Sequence, residues 1–333
     1  MSAPEALPLP VEFASAPLIP TEPVGACPVC RAVDFAPFAF GYDYESRTCR
    51  NLWRFVRCAA CGHVWLDPRP ALSTLATIYP PTYYAYNYAS QVNPIARRAK
   101  EWLDSRKMRR IVASLPRAPG SFLDVGCGDG RFLRVMESRG IPRSRLFGLE
   151  LDDRVVRPLA DAGFQAFCER VEDCSKIPDG AIDLATMFHV IEHVDDPARV
   201  CRAVARWLAP GGVFAVETPN LDSLDARLFH RTHWGGYHIP RHWSLFTPAS
   251  LQRLLADAGL TPFAVRFQTG HSFWMFSFHH WLRYEGRPMP RLARAFNPLR
   301  GLPMLAAFTA LDIVRATLGA RTSAMLVLAR KPA

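Results

Sequence analysis

The 333-residue chain has no apolar run suited to crossing a bilayer. The longest late one, Gly301 to Leu318, is interrupted by Asp312 and Arg315. It also lacks an export signal: residues 1–24 carry no basic start, and Pro4, Pro8, Pro10, Pro17, Pro20 and Pro23 break every apolar run. That segment is expected to be a disordered or extended leader. Nine cysteines without an export signal read as thiols or metal ligands rather than disulfides, and the expected compartment is the cytoplasm. No internal repeat is visible. Polar, low-complexity composition is lacking too, since 49% of residues are hydrophobic and only 21% charged, which excludes global disorder. The formal net charge of +10 favours acidic partners, whether nucleic acid, phosphorylated small molecules or an anionic membrane surface.

What is present divides by rhythm. Residues 25–68 are short strand-like pieces punctuated by cysteine pairs. Residues 69–114 suggest a helical connector, with a tyrosine-dense stretch from Tyr79 to Tyr88 and a basic run from Arg97 to Arg110. From Ser121, strand-sized apolar runs (Phe122–Val125, Leu146–Leu149, Ile182–Met187, Val213–Val216) alternate with helix-sized amphipathic segments. That alternation predicts βαβ units and a parallel sheet over 115–333.

The most informative stretch is Ser121-Phe-Leu-Asp-Val-Gly-Cys-Gly-Asp-Gly-Arg131, an apolar strand running into three glycines. Glycines there let the backbone turn sharply and approach a bound nucleotide-like ligand. The third glycine of the dinucleotide G-x-G-x-x-G pattern is missing, because Arg131 stands in its place. Glu150 ends the next apolar run, where a carboxylate accepts hydrogen bonds from both hydroxyls of a ribose.

In order and spacing, FLDVGCGDG, GLE, AIDLATMFHVIEHVDDP and LAPGGVFAVETPN resemble the class I S-adenosylmethionine-dependent methyltransferases, nearest to the ubiquinone-biosynthesis O-methyltransferase branch. The resemblance covers roughly residues 115–268. It implies a Rossmann-like α/β sheet, mostly parallel with an antiparallel last strand. It also implies that Asp124, Gly126, Cys127, Gly128 and Gly130 hold the methionine part of the cofactor, and that Glu150 and Leu151 hold the ribose side. Val171 and Glu172 would lie at the adenine, and Met187, Phe188 and His189 would close over the sulfonium.

His189-Val-Ile-Glu192-His193 follows the strand Ile182–Met187, at the sheet edge where open α/β folds bind ligands. Three readings stay open: a general base, a divalent-metal site formed by His189, Glu192 and His193, or polar groups that satisfy the turn. As a base, histidine would titrate near neutrality. Further on, His230 to Trp243 is dense in His, Trp and Arg. It is expected over the same crevice, with Arg241 and His242 contacting the acceptor and Trp234 or Trp243 stacking on it; the alternative is a structured loop with core tryptophans. The pairs Cys27-Pro-Val-Cys30 and Cys58-Ala-Ala-Cys61 match a closed tetrahedral site for structural zinc.

The expected reaction is methyl transfer to a small-molecule or lipid-linked acceptor, most plausibly at a hydroxyl oxygen. An RNA methyltransferase is the alternative. It is disfavoured because no N-P-P-Y type segment follows Met187 and the arginines form no stripe among stacking aromatics. The insertion at about 271–323 fits a cap, a homodimer interface or a peripheral membrane contact.

Overall fold

The computed structural model describes residues 7–80, 94–298 and 301–333, so Tyr83 to Tyr88 of the tyrosine-rich stretch lie outside the described residues. The chain folds into two compact units that are not laid out in chain order. One comprises residues 1–92, 219–250 and 267–325; the other comprises 93–218, 251–266 and 326–333. Residues 219–250 and the insertion therefore belong with the N-terminal segment and not with the glycine turn.

In the N-terminal unit, β1 (Thr21–Glu22) pairs antiparallel with β5 (Arg69–Pro70). β2 (Phe35–Gly41), β3 (Trp53–Cys58) and β4 (Val64–Leu66) form an antiparallel sheet completed by β11 (Ser244–Leu245), in the order β11-β4-β3-β2. Its apolar face packs Trp53, Phe55 and Leu66 with Trp234, Tyr237 and Trp243.

Residues 7–24 are ordered, and apart from a single 3-10 turn at Val11–Phe13 they are mainly extended, the second of the two readings of the leader. Phe13 is fully buried with its ring 5.7 Å from that of Tyr42, and Asn51 exchanges hydrogen bonds of 2.9 and 3.0 Å with the backbone of Ile19. Proline holds the chain in a conformation that leaves its polar groups for such partners. The insertion adds helices His271–Tyr284, Pro290–Ala293 and Leu302–Thr317. Buried Asp312 ties the last of these to the first, accepting from the Gly270 N–H at 2.8 Å and the Trp274 Nε1–H at 3.2 Å.

The other unit is a seven-stranded sheet in the order β12-β13-β10-β9-β6-β7-β8, formed by β6 (Phe122–Val125), β7 (Leu146–Glu150), β8 (Gln165–Cys168), β9 (Ile182–Phe188), β10 (Leu208–Pro219), β12 (Thr261–Gln268) and β13 (Ala324–Arg330). Strands β10, β9, β6, β7 and β8 run parallel, and the last strand runs antiparallel. The chain leaves β6 toward β7 and β8, then returns to β9 on the other side of β6. Such a reversal opens a crevice at the carboxyl ends of the strands. Register makes that edge sharp: Val125 is level with Leu149 and Met187, and Met187 with Val216. Everything immediately after those four residues is delivered to one edge. The strands are buried on both faces, as near-continuous Val, Ile, Leu and Phe runs require.

Candidate active site

The three glycines of the turn all have positive φ, of 74°, 50° and 78° at Gly126, Gly128 and Gly130. The first and last are also forced by packing: a Cβ on Gly126 would sit 2.3 Å from Val190 Cγ2, and one on Gly130 would sit 2.4 Å from Leu159 Cδ2. Gly128 differs, since a Cβ there would meet nothing within 4 Å. Open space above a backbone that must turn left-handed is what a ligand cradle needs.

Glu150 faces the same turn. One carboxylate oxygen accepts from the Gly128 N–H at 3.1 Å, the other from the Leu151 N–H at 2.7 Å. Leu151 is 64% exposed, an apolar side chain open beside the turn. Val171, at a single turn of helix (Val171–Asp173), is buried. Glu172 is tied to Arg170, its Oε1 lying 3.0 Å from Nε. Buried Met187 and half-buried Phe188 end β9, and the Phe188 ring carries Lys107 Nζ 4.2 Å from its centroid.

Asp124 lies beneath the turn, almost fully buried, and accepts from Thr186 Oγ1–H at 2.7 Å. Burial pushes its carboxyl up to about 7, and Glu150 adds to the rise, while the Thr186 hydroxyl and Lys107 oppose it. A raised acid binds its proton more tightly folded than unfolded, so the wild type loses stability as pH climbs from 3.8 toward 7. Asp124→Asn keeps the acceptor oxygen and removes the charge. We expect it to be more stable than wild type by about 2–4 kcal/mol at pH 8, with the gain vanishing below pH 4. Chemical denaturation at the two pH values measures this; an equal gain at both would show that charge burial is not the cause.

His189 begins the next loop with φ of 56°, a left-handed conformation that costs an L residue about 1–2 kcal/mol. Its N–H donates to the Glu217 carbonyl at 2.8 Å, which holds the turn. The ring spans two carboxylates: Nδ1 lies 3.2 Å from Glu192 Oε1, and Nε2 lies 3.4 Å from Glu217 Oε1. Glu192 is fully buried and also accepts from the Thr218 hydroxyl at 3.0 Å. Glu217 accepts from Lys107 Nζ at 2.6 Å, and the Lys107 and His189 cations hold its carboxyl far below the carboxylate range. Burial alone would lower the histidine, but the hydrogen bonds its ring donates to Glu192 and Glu217 outweigh it and raise the ring to about 9. The expectation of a histidine titrating near neutrality is thus corrected: two anions on one ring hold it charged.

His189, Glu192 and His193 do not form a metal-ligand triad among the described residues, since their ligand atoms are not mutually within 4.8 Å. Both nitrogens of His189 are turned to carboxylates instead, while the ligand atoms of Glu192 and His193 do lie within 4.8 Å of one another.

The His230–Trp243 segment is corrected as well. Arg241 is fully buried, with Nη1 and Nη2 each 3.1 Å from Asp43 and Nε donating to the Ile78 carbonyl at 2.7 Å. Its guanidinium is spent inside the N-terminal unit and cannot serve an acceptor's carboxylate. His242 is buried, with Nδ1 2.8 Å from the Gly236 carbonyl oxygen and its ring 4.9 Å from that of His238. Trp234 and Trp243 are core residues whose indole N–H groups donate to Asp225 and to the Pro240 carbonyl.

In the same unit, Cys27, Cys30, Cys58 and Cys61 bring their four Sγ atoms within 4.8 Å of one another, with 3.5 Å between Cys27 and Cys61 and between Cys30 and Cys58. Each pair makes the same turn. Arg31 N–H donates to Cys27 O at 2.9 Å and Gly62 N–H to Cys58 O at 3.0 Å, with Arg31 and Gly62 both left-handed. The remaining cysteines are free thiols.

Sequence reasoning missed Lys107 and Glu217. Glu217 carried a usable signal, as a lone carboxylate ending an apolar strand at the ligand edge. Lys107 had none, because it is one cation in a polar helix.

Residues 95–265 match the family model described as a methyltransferase domain. The chain is 29% identical over 213 residues to a ubiquinone biosynthesis O-methyltransferase of Thiobacillus denitrificans, covering 60% of this chain and 78% of that protein. It is 28% identical over 163 residues to the protein of the same description from Neisseria meningitidis, covering 45% of this chain and 67% of the other. Among solved structures, a SAM-dependent methyltransferase of Archaeoglobus fulgidus aligns with a TM-score of 0.45 at 17% identity, over 69% of this chain and 94% of that one.

Proposed function

We propose, for a chain that belongs to the methyltransferase-domain family and is a SAM-dependent methyltransferase, that the methyl group goes to a hydroxyl oxygen of a small-molecule or lipid-linked acceptor. One observation carries the reading. A single register row across β10, β9, β6 and β7 sets an open glycine turn, a paired carboxylate acceptor and a histidine held between two carboxylates at one sheet edge. The relatives described as ubiquinone biosynthesis O-methyltransferases support oxygen as the target.

The residues present fit the cofactor. The space above Gly128 admits a chain against the backbone, Glu150 offers oxygens to a diol, and exposed Leu151 offers a flat apolar contact for a base. S-adenosylmethionine supplies, when bound, an electrophilic methyl on a good neutral leaving group. Little else is asked of the protein beyond alignment and removal of one proton. His189 does the latter: 43% exposed, it is the part of its cluster that meets solvent, whereas buried Glu192 and Glu217 orient it. Its ring accepts the hydroxyl proton once it has lost its own, above about pH 9.

The four cysteines of the N-terminal unit fit zinc. With zinc–sulfur bonds near 2.3 Å, tetrahedral sulfurs stand about 3.8 Å apart, and the observed sulfurs bracket that spacing. We assign this site a structural role, since all four ligands come from the protein.

The reading is tested by Glu150→Ala. Two oxygens lost to a ribose diol should weaken S-adenosylmethionine binding by about 1.5–3 kcal/mol, measured by calorimetry. Methyl transfer from radiolabelled cofactor should reach a catechol but not its dimethyl ether. Unchanged affinity removes Glu150 from the site, and equal labelling of the ether removes oxygen as the target.

A further inference from the structure

The helix Leu302–Thr317 turns an unusual face to solvent. A surface helix ordinarily buries an apolar stripe and shows water its charges. Here Asp312 is the buried residue, held by Gly270 and Trp274, and Arg315 is largely covered against it. Every exposed residue of the helix except Thr317 is apolar, and Val314 is 55% exposed. Leu318, just past the helix, is 80% exposed, and Met289 and Leu292 earlier in the insertion are exposed as well.

Charge along this segment is mostly positive. From 286 to 323 the sole acidic residue is the buried Asp312, whereas Arg287, Arg291 and Arg294 are exposed beside Met289 and Leu292. None of the described helices is long and apolar enough to cross a membrane.

We propose that this face seats the protein on an anionic bilayer, with the helix Leu302–Thr317 lying in the plane of the headgroups and the arginines on lipid phosphates. The chemistry needed is apolar side chains at acyl depth together with a cationic rim, and both occur on one short segment. A second copy of the chain satisfies only half of it. A two-fold interface would set Arg287, Arg291 and Arg294 against their own copies, with Glu285 the one exposed carboxylate close by in the chain. A bilayer bearing phosphatidylglycerol answers the apolar face and the charge together. This inference does not depend on the methyl acceptor, and it would stand if the acceptor proved fully water-soluble.

The test is flotation of the full-length protein with vesicles of phosphatidylglycerol and phosphatidylcholine, against phosphatidylcholine alone. Binding should require the anionic lipid and fall steeply between 50 mM and 500 mM salt, as about a threefold shorter screening length implies. The triple variant Arg287→Gln, Arg291→Gln, Arg294→Gln should weaken binding by about fivefold for each arginine in contact. Ile313→Glu with Val314→Glu should remove it by another tenfold or more, while the unfolding midpoint and S-adenosylmethionine affinity stay at wild-type values. Both substituted residues are already in water, so the fold is retained. No flotation with anionic vesicles at low salt overturns the proposal. So does flotation that neither variant weakens, or a concentration-dependent dimer that Ile313→Glu with Val314→Glu dissolves while vesicle binding persists.

Discussion

Changing Cys58 and Cys61 together to serine should abolish the folding of the N-terminal unit and release one zinc ion per chain. Binding by four thiolates contributes about 10–16 kcal/mol in small zinc modules, against a total stability of about 5–15 kcal/mol for an ordinary domain. The sheet around the site is short, with β4 of three residues and β11 of two, and its turns are shaped by the cysteine pairs themselves. Elemental analysis should find one zinc in wild type and none in the double variant. Near-ultraviolet dichroism should lose the signal of the tryptophans that pack this unit, Trp53, Trp234 and Trp243. Wild-type protein purified without chelator and containing no zinc would end the assignment. A variant that has lost zinc yet melts as wild type does would show the metal to be structurally idle.

The second large effect falls on turnover. His189→Ala should reduce methyl transfer by about 10²–10⁴-fold, the span of general-base catalysis. Cofactor affinity should barely change, since the ring is bound to Glu192 and Glu217 rather than to the glycine turn. The pH profile separates this role from simple support of the loop. With the ring raised to about 9, the base form grows tenfold per pH unit below that value, so the rate should climb through pH 7 and 8 and level off near 9. Lys107→Met should depress turnover in a second way. It leaves Glu217 without its ammonium partner, more of its negative charge then acts on the imidazolium, and the rising limb should move further alkaline. A profile flat from pH 6 to 10 would strip His189 of the role. Loss of activity on chelation, restored by magnesium, would do the same.

The glycine turn shows how far sequence reaches here. Left-handed backbone at Gly126, Gly128 and Gly130 is a local demand, and local demands are written where they occur. The same holds for the cysteine pairs, whose turns close within four residues, and for the apolar strand runs whose alternation with helices implies a parallel sheet. Glu150 was legible because a strand end in such a sheet has one destination.

Other expectations failed, or stayed open, where a residue's partner lies far along the chain. Arg241 looked like an acceptor ligand because Asp43, its buried counter-ion, stands almost two hundred residues earlier. The leader left two readings open because its hydrogen bonds go to Asn51 and Asp67. His189 looked neutral because nothing near it in sequence shows that Glu217 closes on its second nitrogen.

By itself, then, the sequence determined the sheet, the glycine turn, the carboxylate facing it and the sulfur cluster. Each depends on backbone conformation or on ligands a few residues apart. Only the tertiary structure decided which charges are spent on one another, that His189 is held as a cation, and that residues 219–250 and the insertion group with the cysteine-bearing unit. The physical reason is common to all three. Electrostatic pairing and burial act through space over a few ångströms, and the order of residues along the chain does not record which distant groups the fold will bring that close.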